Sequence, residues 1–85
     1  MIFEWDAAKN EKNKQARGLS FEVAPHALRD VIEAKIDRRQ DYGETRVIAK
    51  CRYRGSILIV VYTMRGDRCR IISVRRANKR EGKGS

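Results

Sequence analysis

Between Arg65 and Arg80 the chain places Arg65, Arg68, Arg70, Arg75, Arg76, Lys79 and Arg80 against a single carboxylate, Asp67. Arginine stays charged at physiological pH and presents its donors in a flat fork that matches two oxygens of one phosphate. The end of a buried strand does not need so many guanidinium groups, and arginine is seldom buried unpaired. The segment is therefore either a solvated basic edge that discourages sheet aggregation or a site for a polyanion, with phosphate the natural ligand. The second reading is preferred. If the polyanion is RNA, its own 2′-hydroxyl can attack the adjacent phosphorus without a metal. Fixed cations then stabilise the charge that gathers on the phosphoryl oxygens. Arg75 and Arg76 at the strand exit, Arg46 from a nearby strand and Arg80 from the tail are the candidates for that role. Lys9, Arg65, Arg70 and Lys79 are candidates for binding the RNA around it. Neighbours on a strand face opposite ways, so Arg75 and Arg76 reach one phosphate only if the strand ends between them. Otherwise one of the two is structural or binds a protein partner.

The general base is harder to place. Arginine is too basic for it, and Asp67 and Glu81 are the only carboxylates from residue 46 onward. Tyr62, Lys79, Lys9 and His26 are alternatives without a distinctive pattern. Tyr62 reads better as a packed strand residue with its hydroxyl at the rim, and His26 as a structural histidine. Phe3 and Trp5 suit burial against helices better than stacking on bases. Cys51, Cys69 and His26 make no set of zinc ligands, and the basic half is short of the carboxylates that magnesium requires. No metal and no cofactor is expected.

The charge distribution supports an anionic partner. The net charge is +9, yet residues 1–45 carry 8 Lys/Arg against 9 Asp/Glu while residues 46–85 carry 12 against 2. The whole excess lies in the second half, which argues for an anionic partner such as nucleic acid. It does not by itself separate RNA from DNA or an acidic protein, nor a nuclease from a non-catalytic nucleic-acid-binding or antitoxin-binding basic protein. A chain of 85 residues makes one small domain. The two cysteines read as reduced core residues rather than a disulfide. The N-terminus, MIFEWDAAKNEK, is charged where a signal peptide is apolar, and the longest apolar run, Ile57–Tyr62, is too short to cross a bilayer. A soluble, cytoplasmic protein without a membrane partner is expected.

The elements that must position these groups follow from local patterns. Ile2–Trp5 reads as a short strand, and Asp6 caps a polar surface helix that Gly18 closes in a left-handed conformation. Ser20 is a second cap, before FEVAPHALRDVIE, whose apolar residues recur at roughly helical spacing from Phe21 to Val31 or Ile32. Pro25 sits awkwardly there and implies a late start or a kink. Ala34–Arg39 is either a helix end or a short edge strand. Strands are predicted at Arg46–Tyr53, Ser56–Thr63 and Arg68–Arg75, joined by tight turns into an antiparallel meander. Ile57–Val61, apolar on both faces, marks the central strand. Ala77–Glu81 can begin a short helix. No internal repeat or domain boundary is visible.

Three segments now carry a resemblance: FEWDAAKNEKN, GLSFEVA and YTMRGDRCRIISVRRANKRE. The most specific pieces are Phe3-Glu4-Trp5-Asp6 with Lys9 and Asn13, the run Arg70–Ala77, and Arg46 shortly after Glu44. Together they resemble the BrnT toxin family, which pairs with BrnA antitoxins in type II toxin–antitoxin systems. The resemblance implies an α+β, RelE-like fold with two N-terminal helices packed on a small antiparallel β-sheet. It implies an endoribonuclease that inhibits translation, neutralised by a cognate BrnA-like ribbon-helix-helix antitoxin. The complex is expected to dimerise through the antitoxin and to bind promoter DNA. Members commonly have Lys-His where this chain has Ala16-Arg17, and their charged C-terminal helix is longer than the tail KREGKGS.

Overall fold

A computed structural model describes residues 1–82. In chain order the elements are β1 (Ile2–Glu4), α1 (Ala7–Arg17), a 3₁₀ turn (Phe21–Val23), α2 (Ala24–Ala27), β2 (Val31–Ile36), β3 (Arg46–Tyr53), β4 (Ser56–Arg65), β5 (Arg68–Arg76) and α3 (Lys79–Gly82). The strands form one five-stranded sheet in the order β1-β5-β4-β3-β2. β2 to β5 make the antiparallel meander, with a turn through Arg54 (φ 48) and Gly55 (φ 77) between β3 and β4. Positive φ at both residues matches the right-handed twist of the flanking strands.

Two expectations need correcting. The sheet is mixed, because β1 runs parallel to β5 and sets Phe3 opposite Cys69 and Glu4 opposite Arg70. The second helix is a 3₁₀ turn and one turn of α-helix, not an element running to Glu33. Pro25 stands in the first turn of α2, where its missing N–H costs nothing. Beyond Leu28 the β-branched pair Val31-Ile32 enters the edge strand β2, which pairs with β3. Pairing that satisfies the backbone outweighed helical spacing.

The core lies on one face of the sheet. Phe21, Ala24 and Ala27 pack there with Ala49, Cys51, Leu58, Val60, Cys69, Ile71 and Val74, while Phe3, Trp5 and Tyr62 pack against its margin. Both cysteines are free and buried, and burial pushes the Cys51 thiol up to about 11. Asp6 and Gly18 cap α1 as expected, but the helix docks through polar groups. The buried Asn13 donates from Nδ2 to the carbonyls of Leu19 and Val74 at 2.9 Å each, and Asn10 Oδ1 accepts from the Phe21 amide at 2.8 Å. One side chain thus ties the helix to β5 and to the loop before the core. Asn13→Ala leaves two buried carbonyls unsatisfied, so it should destabilise the protein by about 2 kcal/mol. Thermal unfolding checks this, with a midpoint roughly 10 °C lower for a domain of this size.

Period-two alternation sends the partners of the core residues to the other face. In β5 a bulge sets the phase: Tyr62 pairs with Ile71 and Val61 with Ser73, leaving Ile72 as the extra residue. Val74 therefore stays on the core side with Ile71, and Ser73 and Arg75 turn to the open face.

Candidate functional site

The open face is laid out by strand register. One cross-strand row runs Arg46–Thr63–Arg70 and continues to Glu4 of β1; the next pairs Arg65 with Arg68. Thr63 is a buried floor whose hydroxyl donates to the Thr45 carbonyl at 2.7 Å. Arg70 Nη1 donates to Glu4 Oε2 at 2.6 Å, and Arg68 lies 3.8 Å from the same carboxylate. Glu44 accepts from Arg46 Nε at 3.3 Å and from Arg65 Nη2 at 3.2 Å. Partial burial pushes the Glu44 carboxyl up, but the bonds from Arg65 and Arg46 outweigh it and the net shift is downward. An ionised carboxylate thus bridges two guanidinium groups at this end.

The loop between β2 and β3 fixes Arg46 further. Its guanidinium lies 4.0 Å from the centre of the Tyr42 ring, within cation–π range. The Tyr42 hydroxyl donates to Asp37 Oδ2 at 2.9 Å, and Arg39 grips both oxygens of Asp37 at 2.8 and 2.7 Å. The Asp37 side chain is only 1% exposed, and its backbone N–H donates to the Arg46 carbonyl at 2.8 Å. The bond from Arg39 first, with help from Tyr42, holds the Asp37 carboxyl far below its usual range. Its folded pKa lies below its unfolded value, so its contribution to stability is present above about pH 4 and lost as pH falls. Asp37→Asn should flatten that acid limb. Unfolding midpoints measured from pH 6 to pH 2 check it.

A second row at the other end of the face runs Arg75–Ile59–Lys50–Glu33. Lys50 lies four residues beyond Arg46 on β3, about 13 Å along the strand. Here α3 folds back over the sheet. Glu33, Lys35, Ile48, Lys50, Ile59, Arg80 and Glu81 line a hollow of about 210 Å³. Arg75 and Glu81 form a two-point ion pair at 2.6 and 2.7 Å. That pair lowers the Glu81 carboxyl to about 2.

The arginines named from the sequence are thus divided. Arg46 and Arg75 share the open face at opposite ends, and Arg80 lines the hollow near Arg75. Arg76 points to the other face and donates to the Arg17 carbonyl at 3.2 Å, at the C-terminus of α1. A cation there complements the helix dipole, so Arg76 has a structural task. Arg65 and Arg70 belong to the Arg46 end. Lys9 follows Asp6, whose carboxyl is lowered first by the Lys9 amide and also by Arg70, so the start of α1 abuts that end as well. Lys79 is exposed on α3.

The alternative bases lie elsewhere. Tyr62 and His26 line an apolar groove of about 540 Å³ on the helical face, with Phe3, Pro25, Leu28 and Met64. Burial raises the Tyr62 hydroxyl pKa. Sequence reasoning noted Glu4 and Glu44 only as part of the resemblance, gave them no role in the site, and left out the Asp37–Tyr42 pair. Glu44 and Arg46, two apart at a strand start, were the available signal, since that spacing puts both on one side.

Residues 5–81 match the family described as "Ribonuclease toxin, BrnT, of type II toxin-antitoxin system". A search of curated proteins finds no match.

Proposed function

Because the chain belongs to the BrnT family of ribonuclease toxins in type II toxin–antitoxin systems, we propose that its open sheet face binds single-stranded RNA and cleaves it by attack of the 2′-hydroxyl. The observation that carries this reading is the gathering of Arg46, Arg65, Arg68, Arg70 and Arg75 on one face, over a floor that includes Thr63 and Ile59. The attacking oxygen bonds to phosphorus, the bond to the 5′-oxygen breaks, and that oxygen takes a proton from water. The products are a 2′,3′-cyclic phosphate and a 5′-hydroxyl. Arg46 is the cation assigned to the charge of the reacting phosphoryl group, Arg75 with Arg80 beside it is assigned to a phosphate farther along the strand, and Arg76 acts through the fold. Lys9, Arg65, Arg70 and Lys79 hold the strand on either side. Glu44 is the proton acceptor best placed among the carboxylates, between Arg46 and Arg65. Its lowered pKa keeps it ionised at neutral pH, at some loss of basicity.

In the cell the reading is of a cytoplasmic toxin that blocks translation. A BrnA-like antitoxin covers the basic face, dimerises the complex and binds promoter DNA. The test begins with RNA integrity after expression of this chain alone, followed by binding of purified protein across a salt series. With about five phosphate contacts at about −0.7 each, the slope of log affinity against log salt should be about −3.5. An affinity indifferent to salt would remove the electrostatic basis of the assignment.

A further inference from the structure

The C-terminal turn sets a carboxylate where the proposed substrate needs a cation. Glu81 receives both Nη groups of Arg75, at 2.6 and 2.7 Å, in the fork-to-fork geometry by which guanidinium also holds phosphate. The turn is closed by a reciprocal pair: the Asn78 amide donates to Glu81 Oε1 at 3.0 Å, and the Glu81 amide to Asn78 Oδ1 at 2.8 Å. The electrostatics of the spot draw on two more cations. Lys35 of β2 helps to lower the Glu81 carboxyl, and Arg39 of the following loop opposes the charge on Arg75. α3 spans only Lys79–Gly82, far too short to be stable as an isolated helix. Its position therefore depends on these contacts, and they are reversible.

We propose that Arg75 is a subsite for an RNA phosphodiester which the free protein keeps closed with the Glu81 carboxylate, so that RNA binds by displacing the C-terminal turn. This rests on the open face being the path of the RNA. Phosphate and carboxylate then compete for one guanidinium. The apparent affinity for RNA is the intrinsic affinity multiplied by the fraction of molecules in which the turn has opened. A partly exposed two-point ion pair with a capping pair behind it favours the closed form by roughly three- to tenfold.

The test uses the full chain and a 2′-O-methyl oligoribonucleotide, which binds without being cut. Glu81→Gln should tighten binding about three- to tenfold. Removing a negative charge from a basic protein also helps RNA binding without any displacement, so two further variants separate the causes. Asn78→Ala breaks the capping pair without changing charge, and it should tighten binding about two- to threefold. In an Arg75→Ala background, Glu81→Gln should give no gain, because the masked cation is gone. An equal gain in that background, an unchanged affinity, or a loss on Glu81→Gln would each overturn the proposal. If Arg75→Ala leaves binding untouched while Arg65→Ala, at a residue assigned to hold the strand, weakens it, the subsite fails and the RNA path survives. If both arginine variants bind as the parent does, the path itself is wrong.

Discussion

An RNA lacking the 2′-hydroxyl at the cleaved nucleotide should stay intact in the presence of the protein, while its all-ribose counterpart is cut. The nucleophile belongs to the substrate in the proposed reaction, so deleting it removes the step and not merely a stabilising contact. Binding should survive, within about twofold, because the arginines address phosphates and not the sugar. The same assay distinguishes the route through metal. Of the carboxylates that approach the reacting face, Glu33 lies in one cross-strand row with the cation Lys50. Three others are engaged by arginine: Glu4 by Arg70, Glu44 by Arg46 and Arg65, Glu81 by Arg75. Their charge is committed to guanidinium groups, which leaves a weak field for a divalent cation that demands oxygen ligands. Excess EDTA should leave the rate unchanged, and the 5′ fragment should end in a 2′,3′-cyclic phosphate or the 3′-phosphate derived from it. Activity lost in EDTA, restored by magnesium and yielding 3′-hydroxyl ends would sink this mechanism while leaving a nuclease.

What the sequence made legible was local. The meander from β3 to β5 was readable because Ile57–Val61 is apolar throughout and its flanks carry turns that only a hairpin needs. The cap at Asp6 and the left-handed close at Gly18, φ 68, were readable for the same reason. Three things were not. Val31-Ile32 satisfies a helical face and a strand equally, and only the partner strand β3 decides between them. The pairing of β1 with β5 joins residues 66 apart, as Glu4 and Arg70 show, so counting carboxylates by halves of the chain hid the partners that arginine finds in space. The bulge at Ile72 matters most for the proposed site. Without it, regular alternation would turn Arg76 to the open face and Arg75 toward the helices. A single unpaired residue thus selects which of two adjacent arginines turns to the open face, where the RNA is proposed to lie. The spacing of Ile71 and Val74, both buried and three apart, was its trace in the sequence.

Arg46→Ala should lower kcat by about 10²–10³ and change KM by less than about threefold. The reason is how firmly this guanidinium is set before substrate arrives. Its Nε is hydrogen-bonded to Glu44, its Cζ lies 4.0 Å from the Tyr42 ring centre, and Tyr42 is held by the buried Asp37. A cation fixed in advance does not reorganise as charge develops on the phosphoryl oxygens, so its contact strengthens in the transition state. Arg46→Lys should recover little, since a flexible ammonium reproduces neither the fork nor the stacking on Tyr42. Tyr42→Ala should move kcat in the same direction by roughly tenfold, and Tyr42→Phe by less, because the ring remains when only the bond to Asp37 is lost. Unfolding midpoints for the Arg46 variants should stay near the parent's, since the hydrogen bond from Asp37 to Arg46 uses the backbone carbonyl. A rise in KM with kcat unchanged would mean that Arg46 binds ground-state RNA only. The reacting phosphate would then lie at the Arg75 end of the face.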